Sequence, residues 1–265
     1  MVDVEEIMMV VSTSKKYRAI CPDTVRRLAS REASVHSSTR AAIKATKRRL
    51  HQVYGAFEHR LDYGAAYSQL DVAYGTGSRD KVRDVCRRIL DAHSSTRERL
   101  PILDTFYATI LEVTGQPDAV LDLGCGLNPL TLPWMGLASG ARYTAVDIDA
   151  DRVRFLNRYL ELAGFEPQAR CQDLLTHPPE DDADLALLLK MAPSLERQEP
   201  GATARLLDRL NATSIVVSFA TKSLGGRDKG MPAHYERHFL ELARNRNWRV
   251  QRLRFETELA FVVQR

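Results

Sequence analysis

Ala119-Val-Leu-Asp-Leu-Gly-Cys-Gly-Leu-Asn-Pro129 is the stretch on which the fold turns. It reads as a short buried strand, 119–124, that ends in a glycine turn. Gly124 and Gly126 allow close backbone approach where a side chain would clash. Toward the C-terminus similar strands follow at 143–147, 169–173, 184–190 and 214–219, separated by helical stretches such as 151–163 and 203–210. Strand-helix alternation of this kind builds a parallel, doubly wound sheet with helices on both faces. Two further strands, 249–255 and 259–263, are joined by a tight link and are expected to form an antiparallel edge pair, completing seven. Upstream the pattern changes. Residues 24–29, 41–51 and 82–90 space their apolar side chains at three and four, with charge between them, as amphipathic helices do. Pro22-Asp23 starts a helix, while Gly64 and Gly75-Thr-Gly77-Ser mark loops. Ser95-Thr-Arg-Glu98 has the spacing of a capping box, heading a helix that runs on to Leu111. The chain therefore divides near residue 115 into an all-helical part, 1–115, and an α/β part, 116–265.

Ligands of doubly wound sheets bind beyond the carboxyl ends of the strands. The second strand ends in Asp147, 25 residues after Asp122, where a carboxylate can accept both hydroxyls of an adenosine ribose. A dinucleotide fingerprint would place its third glycine where Pro129 stands, and no phosphate-binding G-x-x-x-x-G-K-[ST] occurs. D-x-G-x-G, Asp147 and the third-strand tip Asp173-Leu174 together describe an S-adenosylmethionine pocket in a Rossmann-like methyltransferase domain. Nicotinamide binding and a non-catalytic Rossmann domain are the alternatives. Cys125, inside the glycine loop, reads as a small turn residue, because no His or Asn partner is placed for nucleophilic chemistry. Lys190 ends the fourth strand at the rim. Thr221-Lys-Ser-Leu-Gly-Gly-Arg-Asp-Lys-Gly-Met231 follows the fifth and joins Gly to three cations, a composition that suits a phosphate-gripping loop.

Charge is unevenly placed. Residues 1–100 hold 19 Lys/Arg against 12 Asp/Glu within a chain of net charge +4, and residues 8–60 hold 12 against 3. A second basic run covers 222–254, with 9 against 3. Two basic segments fit a polyanionic partner through counterion release, or else are solvated helix faces. The longest apolar runs are about five residues, far below the roughly 20 of a spanning helix. The acidic start, Met1-Val-Asp-Val-Glu-Glu6, carries no secretory or transit signature, and the four cysteines form no C-x-x-C pair. A cytoplasmic protein with reduced thiols and no metal is the expectation. His36-Ser-Ser-Thr-Arg40 recurs as His93-Ser-Ser-Thr-Arg97, but the flanks differ; shared helix-cap chemistry or coincidence explains it better than an internal repeat.

Ser14-Lys-Lys-Tyr-Arg18, Pro22-Asp-Thr-Val-Arg-Arg-Leu28, Thr46-Lys-Arg-Arg-Leu-His51 and Tyr54-Gly-Ala-Phe57 carry a resemblance. So do Ser95-Thr-Arg-Glu-Arg-Leu100, Cys125-Gly-Leu-Asn-Pro-Leu130, Pro133-Trp-Met-Gly-Leu137, Thr221-Lys-Ser-Leu-Gly-Gly-Arg227 and Lys229-Gly-Met231. Nearly end to end, the chain resembles the aminoglycoside-resistance 16S rRNA (guanine(1405)-N(7))-methyltransferases. The resemblance implies S-adenosylmethionine as cofactor, held by Phe57, His93, Ser94, Ser95, Arg99, Gly124, Asp147, Asp173, Leu174, Leu189 and Gln198. It gives Arg99 the methionine carboxylate, Asp147 the ribose, and Asp173 with Leu174 the adenine. It implies docking on 16S rRNA in the assembled 30S subunit by a monomer. The basic helices would use Lys15, Lys16, Arg18, Arg26, Arg27, Lys47, Arg48 and Arg49, and Lys190, Lys222, Arg227 and Lys229 would face the RNA. Some members have Ala at the position of Gly124, which the pocket is expected to tolerate; residues 58–82 match no pattern. A methyltransferase for the neighbouring adenosine, a small-molecule methyltransferase and a non-catalytic rRNA-binding protein are the rivals.

Overall fold

The computed structural model describes residues 2–55, 61–221, 231–244 and 246–265. Phe57, Lys222, Arg227 and Lys229 lie outside these residues. Three helices open the chain: α1 (Val4–Ser12), α2 (Pro22–Val35) and α3 (Thr39–Leu50). Asp3 and Ser38 cap α1 and α3 with side-chain oxygens that accept from Glu5 N and Ala41 N, and Pro22 occupies the first turn of α2. A π-turn, His51–Gly55, follows. Then come α4 (Tyr63–Gly75), α5 (Arg79–Leu90), a single turn α6 (Ser94–Arg97) and α7 (Leu103–Thr114). Gly64, expected to mark a loop, instead sits in the first turn of α4, where the Asp62 cap offsets its low propensity.

The expected continuous helix from Ser95 to Leu111 is broken. His93, not Ser95, is the N-cap of α6, and Pro101 interrupts the run with a 3-10 turn before α7. Proline lacks the N–H that would continue the ladder and disfavours the helical conformation of the residue before it. The repeated pentapeptide is likewise read in two registers, since Ser38 caps the first copy and His93 the second.

The sheet has seven strands: β1 (Ala119–Leu123), β2 (Arg142–Asp147), β3 (Gln168–Cys171), β4 (Ala183–Leu189), β5 (Ala212–Ala220), β6 (Arg249–Arg254) and β7 (Glu258–Gln264). Their order is β3-β2-β1-β4-β5-β7-β6. The first five are parallel, and β7 runs antiparallel to both β5 and β6. The antiparallel pair is present, but only β6 forms the edge. Composition explains this: residues 259–263 are all buried, whereas β6 exposes Arg249, Arg252 and Arg254, the charge that blunts an edge. Between and after the strands lie α8 (Leu132–Met135), α9 (Ala150–Leu162), α10 (Ala192–Gln198), α11 (Ala202–Arg209) and α12 (Met231–Ala243).

Packing divides the helical half in two. Ile7, Val11, Val25, Leu28, Ala42 and Leu50 form a small core of their own for α1–α3. By contrast, α4, α5 and α7 contribute Leu70, Cys86, Leu90, Phe106 and Ile110 to the same core as Val120, Leu187 and Val262 of the sheet. The small unit meets the sheet through a bridge between Ile20 and Asp149 and through Cys21 N, which donates to Ile148 O at 2.7 Å.

Candidate active site

The chain turns sharply after β1, and both turn glycines have positive φ, 63° at Gly124 and 54° at Gly126. A Cβ on Gly124 would meet the Met191 side chain at 2.9 Å. The expected tolerance of Ala there therefore requires a strained backbone and a displaced methionine. Below the turn, Asp122 is buried and accepts from Tyr143 Oη at 2.7 Å and Asn128 Nδ2 at 3.0 Å. Burial pushes its carboxyl up to about 6; the two hydrogen bonds and Arg99 offset this only in part.

Asp147, at the tip of β2, is buried and fully engaged. One oxygen accepts from Gly126 N at 2.8 Å, which closes the glycine turn over the strand tip. The other accepts from Asp149 N at 3.0 Å and Arg152 Nη1 at 2.9 Å. Asp149 in turn caps α9 and accepts from Tyr54 Oη of the π-turn at 2.7 Å. Asp173, after β3, accepts from Arg27 Nη2 at 2.8 Å and from Leu175 N at 2.8 Å. Burial alone would raise the Asp173 carboxyl, but the Arg27 guanidinium and these donors outweigh it and hold it below the ordinary value. Arg27 also reaches Gln198 Oε1 at 2.8 Å, so one guanidinium ties α2 to the third-strand tip and to α10.

At the tip of β4, Lys190 has a φ of 58°, the sole positive value outside glycine among the described residues. Its ammonium donates to Ser95 O at 2.8 Å and Glu98 Oε2 at 2.9 Å, and lies 3.2 Å from Glu258 Oε1. Glu258, fully buried at the start of β7, also accepts from Arg99 Nε at 2.7 Å and Ser218 Oγ at 2.9 Å. Burial opposes its charge, yet Arg99 and Lys190 together hold its carboxyl below the ordinary glutamate value. A non-glycine residue held at positive φ by a surrounding bond network is a common mark of functional sites.

These tips surround a cavity of about 540 Å³ at the carboxyl ends of the parallel strands, within the size range of ligand pockets. His93, Ser94, Ser95, Gly124, Asp147, Asp173, Leu174, Leu189 and Gln198 all line it. Arg99 does not. It is enclosed behind Glu258, with its Nη1 on Asn128 Oδ1 at 2.6 Å, so its guanidinium braces the glycine loop from beneath instead of presenting itself to the cavity. Arg27, expected on the docking surface, lies on the cavity wall ion-paired to Asp173, and Lys190, at the rim of the same cavity, is ion-paired to Glu98. The other basic helix residues lie toward the outside. Lys15, Lys16, Arg18, Arg26 and Arg48 are exposed, and Lys47 and Arg49 are half-buried. Arg26 pairs with Glu5, and Arg49 with Glu32.

The wall fits a nucleoside sulfonium ligand. Gly124 and Gly126 expose backbone, Leu174 and Ile148 supply apolar surface, and Asp147 and Asp173 supply carboxylates. Ser94 Oγ is buried on this wall with no hydrogen-bond partner among the described residues, as a group awaiting a polar ligand would be. Glu258 and Arg152 carried no signal in the sequence, and Tyr54 stood out only within the stretch Tyr54-Gly-Ala-Phe57, with no role of its own. Glu258 is a lone acid opening an apolar strand, and its partner Arg99 lies 159 residues away, so no local pattern links them. No group of three or more potential metal ligands occurs among the described residues, and no described helix is long and apolar enough to cross a membrane.

A family model described as ribosomal RNA methyltransferase (FmrO) matches residues 13–262. A 16S rRNA (guanine(1405)-N(7))-methyltransferase of Micromonospora echinospora is 41% identical over 99% of this chain and 97% of its own. One of the same name from Serratia marcescens is 38% identical over 89% and 88%. Among solved structures, 16S rRNA methyltransferase RmtF in complex with S-adenosyl-L-homocysteine superposes with a TM-score of 0.84 at 32% identity, covering 99% and 98%. The 16S rRNA methylase RmtB superposes at 0.80 and 30%, covering 100% and 99%.

Proposed function

The chain belongs to the ribosomal RNA methyltransferase (FmrO) family, and from that premise we propose that it methylates N7 of guanosine 1405 in the decoding site of 16S rRNA, using S-adenosylmethionine. The observation that carries this reading is the strand-tip cavity, with Asp147 and Asp173 on its wall and a turn of two positive-φ glycines at its floor. Asp147 would hold the ribose hydroxyls, its orientation fixed by Gly126 N, Asp149 N and Arg152. Asp173 and Leu174 would take the adenine, and Ser94 Oγ would gain its missing partner from the ligand. S-adenosylmethionine supplies an electrophilic methyl on its sulfonium.

Guanine N7 carries an in-plane lone pair and no proton at neutral pH, so no side chain has to act as a base. The residues bind, orient and exclude water, and bring N7 into line with the methyl at near-attack distance. A base stacked in a duplex has to be extruded to reach such a cavity. The substrate is then a folded surface, the assembled 30S subunit in the cytoplasm, met by a monomer whose exposed Lys15, Lys16, Arg18 and Arg48 contact phosphates. N7 methylation places a positive charge in the decoding site, which repels a cationic aminoglycoside bound there.

The test uses purified protein, tritiated S-adenosylmethionine and drug-sensitive 30S subunits, with free 16S rRNA in parallel. Borohydride reduction followed by aniline cleaves only at N7-methylguanosine. A cut at the decoding-site guanosine with 30S alone is the expected result. Incorporation without that cut would transfer the reading to another nucleotide, and no incorporation despite cofactor binding would remove rRNA as substrate.

A further inference from the structure

Two of the four cysteines meet beside the cavity, although 150 positions separate them. Cys21 is the N-cap of α2, and Cys171 ends β3 in register with Asp147 of β2. Both converge on one carbonyl: Cys21 N donates to Ile148 O at 2.7 Å, and Cys171 Sγ lies 3.7 Å from the same oxygen. Cys21 is buried and Cys171 half-exposed, which leaves the pair open to a small reagent from the Cys171 side. The neighbouring Cys171 thiol, reinforced by the α2 N-terminus and opposed by burial, brings the Cys21 thiol down to about 6, while Cys171 is held above its ordinary value. Cys86 and Cys125 are a built-in contrast, both buried with thiols raised by desolvation.

We propose that Cys21 and Cys171 form a peroxide-sensitive dithiol that closes to a disulfide across the seam between the α1–α3 unit and the sheet. The Cys21 thiolate attacks one peroxide oxygen; an S–O bond forms, the O–O bond breaks and hydroxide leaves, taking up a proton as water. The Cys171 sulfur then displaces hydroxide from the Cys21 sulfenic acid, loses its proton to it and forms the S–S bond. Two thiols give up two electrons and peroxide becomes two waters. Disulfide geometry sets the sulfurs about 2.05 Å apart, so closure draws the start of α2 and the end of β3 together. Thr24 and Arg27 follow Cys21, and Gln172 and Asp173 follow Cys171, and all four line the cavity. Closure therefore shifts the Arg27–Asp173 pair and weakens cofactor binding, a consequence that rests on the proposed function of that cavity.

The full-length protein is treated with hydrogen peroxide, and intact mass, peptide mapping and S-adenosylmethionine affinity are measured before and after dithiothreitol. The expected result is a reversible loss of about 2 Da, mapped to a Cys21–Cys171 peptide, with a several-fold drop in affinity that dithiothreitol restores. Cys21→Ser and Cys171→Ser should each block the cross-link and keep the affinity constant through peroxide treatment. Oxygen addition without a cross-link, or reaction first at Cys86 or Cys125, would overturn the dithiol. A cross-link that leaves affinity unchanged would overturn the coupling to the cavity and leave the dithiol standing.

Discussion

Asp122 shows most plainly what the site costs the protein. Unfolded, its carboxyl titrates near the ordinary 3.8; folded, burial raises it to about 6. The native state thus binds more protons than the unfolded chain between these values, and stability falls as pH rises through that window. Asp122→Asn keeps an acceptor for Tyr143 and removes the buried charge. It should raise Tm by a few degrees at pH 8 and by little at pH 4; an equal gain at both pH values would refute this account. Asp147→Ala should behave in the opposite sense. It leaves the buried Arg152 guanidinium without its closest carboxylate, so calorimetry should register a large loss of cofactor affinity and melting a loss of about 3 kcal/mol or more. Unchanged affinity would remove Asp147 from the ribose. Asp147 was readable in the sequence because its position depends only on strand spacing. The Arg99–Glu258 pair was not, because a contact between an interrupted helix and the last strand depends on the whole sheet order.

Among elements, the strands were readable because each is a short apolar run bounded by turn residues, and a strand buried on both faces has no other way to look. Their neighbours were not: the place of β7 between β5 and β6 is a choice of pairing, settled by which strand can afford no solvent. Helix ends were partly readable. Pro22 starts a helix as its position implies, whereas Ser78, read as part of a loop, caps α5, and Pro101 overrode the capping-box spacing that preceded it. The π-turn after α3 gave no signal in sequence, yet its Tyr54 is the hydrogen-bond donor that ties the α1–α3 unit to the α9 cap. Tyr54→Phe removes one donor from a buried carboxylate and should cost about 1–2 kcal/mol in melting experiments. A melt identical to that of the parent protein would mean that the bond contributes nothing to the join.

For the whole molecule, the division at residue 115 is one of sequence pattern, while the cores divide between α3 and α4. A fragment starting at residue 101 discards Leu70, Cys86 and Leu90 from the sheet's own core and should not fold. One starting at residue 56 loses only the α1–α3 core and should keep native near-ultraviolet circular dichroism while failing to capture 30S subunits. Capture by that fragment would show that the basic helices are dispensable for docking. The cavity wall crosses the boundary between those cores, with Thr24 and Arg27 on one side and Asp147 and Asp173 on the other. A ligand lying across it is a third partner in their association. Whatever factor the firm seating of α2 adds to ligand affinity, the ligand returns to the seating of α2 by thermodynamic reciprocity. On the function proposed above, an enzyme already carrying its methyl donor would then meet the ribosome with its α1–α3 surface set, and one emptied of product would meet it slack.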